Sequence, residues 1–167
     1  MTAKMLKLTV VTPVYNEEQV IESFYRRTKQ VLESLENVDA RIIFVVDKCK
    51  DRTLEILRAL ATQDHSITVH GLSSRLGHQM SLVADIEKAR DADAIVMMDC
   101  DLQHPPELIP QLLANFSFGY DVVYTLCRDT ESVGWLRKHI GNLFYRGLTL
   151  ISETPINSNA ADFRLIS

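Results

Sequence analysis

Asp99 and Asp101 stand one residue apart, directly after the apolar run Ala94–Met98. Two carboxylates at the tip of a buried strand repel each other and lose hydration, so packing does not account for them, whereas a shared cation does. Carboxylate oxygens suit Mg²⁺ or Mn²⁺, which also bind the phosphates of a substrate. A lone Asp-x-Asp is as readily a solvated loop with an Asp capping a helix. Here the pair is set in D-C-D-L-Q-H-P-P-E-L, which weighs against that plainer reading.

Three other polar segments also follow apolar runs. In V-T-P-V-Y-N-E-E, Pro13 stiffens the exit from a strand, Tyr15 offers a ring for stacking on a base, and Glu17 is a polar contact. A capped strand-to-helix turn explains Pro13 and Asn16 equally well. In V-V-D-K-C-K-D-R-T, Asp47 is placed to accept hydrogen bonds from a nucleobase edge, while Asp51 reads as a helix cap. In S-S-R-L-G-H-Q, Gly77 allows a tight turn near a ligand, and His78 reads as a solvated residue at a helix start.

The elements that must position these residues alternate regularly. Strand-like runs occupy Leu8–Val11, Arg41–Val46, Ile67–Leu72, Ala94–Met98 and Asp121–Leu126; several are nearly continuous Val, Ile or Met, as in strands buried on both faces. Amphipathic helical segments lie between them. Asn16 is the expected cap of the first, with Gln19 as its capping-box partner, and Asp51 the expected cap of the second. Gly77 or His78 opens a third, and Pro106 sits in the first turn of a fourth. This rhythm predicts an α/β fold, a Rossmann-like, mainly parallel sheet flanked by helices. Ligands of such sheets bind at the carboxyl ends of the strands, where all four polar segments fall. No repeat or linker interrupts residues 1–167, so one domain is expected.

A net charge of -4 argues against nucleic acid as the main partner. Cys49, Cys100 and Cys127 lack metal-type spacing and suit a reducing, cytoplasmic setting. No secretory signal and no apolar stretch of spanning length is visible. Within Val133–Ile151, Leu136, Ile140, Leu143, Phe144 and Leu148 recur at helical spacing beside Arg137, Lys138 and Arg146. That pattern fits an interfacial helix at a membrane surface and a core-covering helix alike.

Taken together the segments resemble family 2 glycosyltransferases of the GT-A fold, and within them the polyprenyl-phosphate branch of dolichol-phosphate mannosyltransferases and bactoprenol glucosyltransferases. V-T-P-V-Y-N-E-E and M-D-C-D-L-Q-H-P-P-E-L carry the resemblance most specifically; D-V-V-Y-T-L-C-R, L-R-K-H-I-G-N-L-F-Y-R and A-A-D-F-R-L-I-S continue it in order to the last residue. The chain departs from the family's D-D-G-S-x-D, having Val46-Asp47-Lys48-Cys49-Lys50-Asp51 instead, which leaves base preference open. Ser74 also replaces a usual Arg, and Gly141 a usual Ser.

The resemblance implies an inverting, metal-dependent enzyme that moves a sugar from a UDP- or GDP-sugar to a polyprenyl phosphate at the inner face of the membrane. Pro13, Tyr15, Glu17 and Asp47 fall where the family holds the nucleotide. Asp99 and Asp101 fall on its metal and diphosphate motif, with Gln103 beside them. Asp162 matches the acidic residue near the acceptor that is often considered the base, so Asp101 and Asp162 are the catalytic candidates. Arg128, Arg137 and Lys138 match basic positions that receive the acceptor phosphate. Family members continue beyond this point, so a C-terminally shortened catalytic domain is expected, with apolar surface on the Val133–Ile151 helix promoting self-association. Three rivals stand beside this reading: a family 2 enzyme with a soluble hydroxyl acceptor, a nucleotide-sugar-binding fragment with impaired catalysis, and an acidic phosphoryl-transfer or response-regulator-like α/β domain, which also uses clustered Asp and Mg²⁺ but leaves T-P-V-Y-N-E-E and D-F-R-L unexplained.

Overall fold

The computed structural model describes residues 4–72, 89–126 and 160–167. Strand β1 (Leu6–Val14) leads into helix α1 (Ile21–Glu33), then β2 (Val38–Val46), α2 (Thr53–Gln63), β3 (Ile67–Gly71) and β4 (Ala94–Met97). A 3-10 turn (Pro106–Leu108), helix α3 (Ile109–Ser117), β5 (Val122–Leu126) and β6 (Ala160–Ile166) follow. The six strands form one sheet in the order β3-β2-β1-β4-β6-β5. β1, β2, β3 and β4 pair in parallel, and β6 runs antiparallel to β4. The expected α/β, mainly parallel architecture is therefore present. The chain divides into two compact units, Met1–Val123 with Asp162–Ser167, and Tyr124–Ala161. Pro13, Tyr15, Glu17, Asp47, Asp99, Asp101, Gln103 and Asp162 belong to the first.

The central strands are apolar at successive positions because both faces are covered. Leu8, Val10, Val11, Ile42 and Phe44 are wholly buried. Side chains alternate across a strand, so Val11, Ile43, Val45, Ile95 and Met97 make one cluster, with Ala89 and partly buried Leu72, Ala92 and Ile166 against it. On the other face Phe44 meets Phe24 of α1 edge-to-face, centroids 6.3 Å apart. α1 buries Ile21, Phe24, Thr28 and Leu32, one stripe at helical spacing.

Two helix-start expectations are corrected. Asn16 does not cap α1: the N-cap is Val20, and Asn16 instead takes a left-handed conformation (φ 55°) and accepts the Lys50 N–H. Gln19 has no capping role, since the Glu17 carbonyl receives the Val20 and Ile21 N–H groups. Asp51 does bond the start of α2, taking the Thr53 N–H at 3.1 Å, but from one residue before the N-cap, Arg52. Pro106 opens the 3-10 turn ahead of α3 as expected. The segments Ser73–Gln79 and Val133–Ile151, with Cys127, Arg128, Arg137 and Lys138, lie outside the described residues.

A polar knot remote from the sheet's ligand end ties α1 to the turn before β3. Asp64 accepts from the Tyr25 hydroxyl (2.9 Å), Lys29 (2.9 Å) and both the N–H and the hydroxyl of Ser66 (2.8 and 2.7 Å). Burial alone would raise its pKa, but the hydrogen bonds from Ser66, Lys29 and Tyr25 outweigh it and hold the carboxyl far below the usual carboxylate range. Burial and Asp64 together push the Tyr25 phenol up to about 12. A depressed carboxylate stabilises the fold above its unfolded pKa of about 3.9 and loses that contribution only as pH falls toward the folded value. Asp64→Ala should therefore cost about 2 kcal/mol, ~4–8 °C in Tm, to the same extent throughout pH 5–8. Urea melts at pH 5 and pH 8 check this: a cost present at one pH and absent at the other would contradict it.

Candidate functional site

The parallel register brings three loops level at the carboxyl ends of β1, β2 and β4. Val14 pairs with Val46, and Val11 with Met97. Pro13 is tolerated inside β1 because the β4 side is paired only as far as Val11, where the Met98 N–H reaches the Val11 carbonyl. Beyond β1 lie half-buried Tyr15 and Glu17. Beyond β2 lies half-buried Asp47, whose N–H bonds the Val14 carbonyl and whose Oδ1 accepts the Lys48 N–H at 2.7 Å.

After β4 the chain alternates. Cys100 is buried and its thiol donates to the Pro13 carbonyl at 3.6 Å, while Asp99 is half-buried and Asp101 exposed. The thiol is pushed up to about 12, first by burial and then by the negative charge of Glu17, Asp99 and Asp101. With Cys100 turned into the protein, the carboxylates on either side of it are the groups left to meet a ligand. Leu102 takes a left-handed conformation (φ 63°), uncommon for a branched apolar residue. The turn it makes lets Asp101 Oδ1 accept the Gln103 N–H at 2.9 Å, which fixes that carboxylate. Glu107 receives a two-pronged bond from Arg27 of α1 (2.8 and 2.9 Å), and His104 lies 5.8 Å from the Phe163 ring of β6. The motif loop is thus held from α1 and from β6.

Glu17 reports how near the acidic groups are. Its pKa is raised, first by burial and then by Asp101, Asp51 and Asp99. Carboxylates of the other two loops therefore act on Glu17. Among the described residues, no three His, Cys, Asp or Glu converge as a ready-made metal cage. Asp99 and Asp101 fit a hard divalent ion of the kind that takes one or two protein carboxylates and completes its shell with water and substrate phosphates. β6 includes Asp162 and runs antiparallel to β4, its Arg164 pairing with Met97 at the carboxyl end of that strand.

By sequence Asn16 and Asp51 read as helix caps, and Thr53 only as the end of its segment. In the structure they join the loop after β1 to the loop after β2. The spacing Asp51-x-Thr53, an acceptor two residues before a hydroxyl at a helix start, was the available signal.

The sequence profile described as glycosyl transferase family 2 matches residues 9–166. The chain belongs to that family. A prophage bactoprenol glucosyl transferase homolog of Escherichia coli (strain K12) is 35% identical over 162 residues, covering 97% of this chain and 52% of the relative. The undecaprenyl-phosphate 4-deoxy-4-formamido-L-arabinose transferase of Pseudomonas fluorescens is 35% identical over 131 residues, 78% of this chain and 38% of that one. The chain spans about half the length of the curated relatives it matches first. Among solved structures, glucosyl-3-phosphoglycerate synthase from Mycobacterium tuberculosis, determined with Mn²⁺, UDP-glucose and phosphoglyceric acid, superposes with a TM-score of 0.68. It is 22% identical and covers 97% of this chain and 56% of that one. The GT-A fold expected of this family 2 chain is thereby established. Among the described residues no helix is long and apolar enough to cross a membrane.

Proposed function

We propose that this family 2 chain binds a nucleoside-diphosphate sugar and serves transfer of its sugar, with inversion, to a polyprenyl phosphate at the cytoplasmic face of a membrane. The observation that carries the donor half is the parallel register that sets the loops bearing Glu17, Asp51, Asp99 and Asp101 at one end of the sheet, where the three aspartates raise the Glu17 pKa. The acceptor half is supported by the two relatives named for bactoprenol and undecaprenyl phosphate.

Tyr15 would stack on the base and Asp47 would accept from its edge, with Pro13 and Gln103 shaping the ends of the cleft. Asp99 and Asp101 would hold Mg²⁺ or Mn²⁺, which when bound offsets the charge that develops on the departing diphosphate. A phosphate monoester has a second pKa of ~6 and is largely dianionic at neutral pH, so it attacks the anomeric carbon without surrendering a proton. Attack opposite the departing diphosphate inverts the configuration. On this reading Asp162 orients the donor sugar, and Arg128, Arg137 and Lys138 receive the acceptor phosphate.

Thermal melts with UDP- and GDP-sugars, each with and without Mn²⁺, test the donor half. A donor at a hundred times its Kd with Mn²⁺ should add ~2.7 kcal/mol, or ~5–11 °C, and less when the metal is withheld. Indifference to every such donor with Mn²⁺ supplied would sink the proposal. Transfer to undecaprenyl phosphate but not to a free sugar is the expected outcome for the acceptor half.

A further inference from the structure

The loops after β1 and β2 hold each other by five hydrogen bonds. The Asn16 N–H donates to the Cys49 sulfur (3.3 Å), and the Asn16 side-chain oxygen accepts the Lys50 N–H (2.8 Å). The Glu18 N–H donates to Asp51 Oδ2 (3.2 Å), and the Glu18 carboxylate accepts the Arg52 N–H (3.0 Å). The fifth bond runs through a fully buried group: Thr53 Oγ1 accepts the Glu17 N–H (2.8 Å) and donates to Asp51 Oδ1 (2.7 Å). One hydroxyl therefore joins the backbone beneath Glu17 to the carboxylate that anchors Glu18.

We infer that Thr53 is a positioning residue for the donor nucleotide, its hydroxyl locking together the two loops that carry Tyr15, Glu17 and Asp47. This rests on the donor-site reading above. Tyr15 and Asp47 come from different strands and meet one base only if their loops keep a fixed spacing. Bonds made before a ligand arrives remove the ordering cost that binding would otherwise carry. Asn16 contributes from the exposed side, because its left-handed backbone aims the side chain across the gap.

Thr53→Val keeps the shape and removes both hydrogen bonds, whereas Thr53→Ser keeps the hydroxyl. Two measurements apply: hydrogen exchange of peptides spanning residues 15–19 and 47–53, and calorimetric Kd for UDP and GDP with Mn²⁺. Thr53→Val should speed exchange in both peptides about tenfold and weaken the preferred nucleotide about tenfold; Thr53→Ser should stay within about twofold of wild type. Unchanged affinity in Thr53→Val, or faster exchange in one loop alone, would overturn the inference. Should the valine variant not fold, Asn16→Gly tolerates the same backbone conformation, deletes only the exposed cross-loop acceptor, and is read by the same two measurements. If wild type binds neither nucleotide, the donor-site reading fails by itself, and exchange still decides whether Thr53 couples the loops.

Discussion

Asp99→Asn and Asp101→Asn are each expected to lower sugar transfer by about 10²–10³-fold at saturating Mn²⁺, with little loss of folded stability. The substitution keeps the shape of the side chain and removes one negative charge from a place where several repel. Cys100, packed against the Pro13 carbonyl, keeps the loop in place in both variants. Asp101 also accepts the Gln103 N–H, a bond that the Asn side-chain oxygen can still make, so the loss isolates charge from geometry. Nucleotide affinity measured without metal should stay close to wild type, because the residues proposed to meet the base, Tyr15 and Asp47, come from the other loops. Wild-type turnover in either variant would remove these two aspartates from the chemistry.

The same assay with Asp162→Asn separates the acceptor classes. A dianionic phosphate needs no general base, so this variant should keep turnover within about tenfold of wild type. A loss in Asp162→Asn as deep as in the other two, with nucleotide binding intact, would mean that a proton must be removed. The acceptor would then be a hydroxyl.

How much of this was legible before the structure depended on the range of the interaction involved. The Val/Ile runs of β1, β2 and β4 announced strands buried on both faces, and a parallel sheet puts the ends of all such strands at one edge. The convergence of Tyr15, Asp47 and Asp99 at that edge followed from pattern alone. β6 was not read as a strand, although Phe163 and Leu165 alternate with less buried neighbours. Its antiparallel seat beside β4 is a pairing between segments some seventy residues apart, which local periodicity does not encode. Asn16 failed differently. Asn with Gln three residues on is a sound capping pattern, but a tertiary donor, the Lys50 N–H, outcompeted the local ones for the Asn16 side-chain oxygen. That partner exists only because Val14 and Val46 are in register, a fact held by neither loop's own sequence.

Glu17→Gln is expected to act in opposite directions on stability and on cation binding. The carboxyl is raised above its ordinary value by burial first, then by Asp101, Asp51 and Asp99. The folded chain therefore holds this proton more tightly than the unfolded chain. Stability falls as pH climbs from the ordinary carboxylate value of about 4.3 through the raised folded value, and above that value the whole penalty is present. Removing the charge should raise Tm at pH 7.5 by ~1–4 °C, the scale of a partly solvated charge interaction, and the gain should vanish near pH 4. The backbone contacts of this residue, to Thr53, Val20 and Ile21, do not involve the side chain and survive the change. With a divalent ion and donor present the sign reverses: the repulsion that burdens the unliganded fold is the field that draws in the cation. Mn²⁺ affinity in the presence of nucleotide should fall about 10–100-fold, as when a group supporting metal ligands is lost. A lower Tm at pH 7.5 would mean that Glu17 is held by a favourable contact rather than crowded by its neighbours. Unchanged Mn²⁺ affinity would place its carboxylate outside the cation's reach and leave Asp99 and Asp101 to act alone.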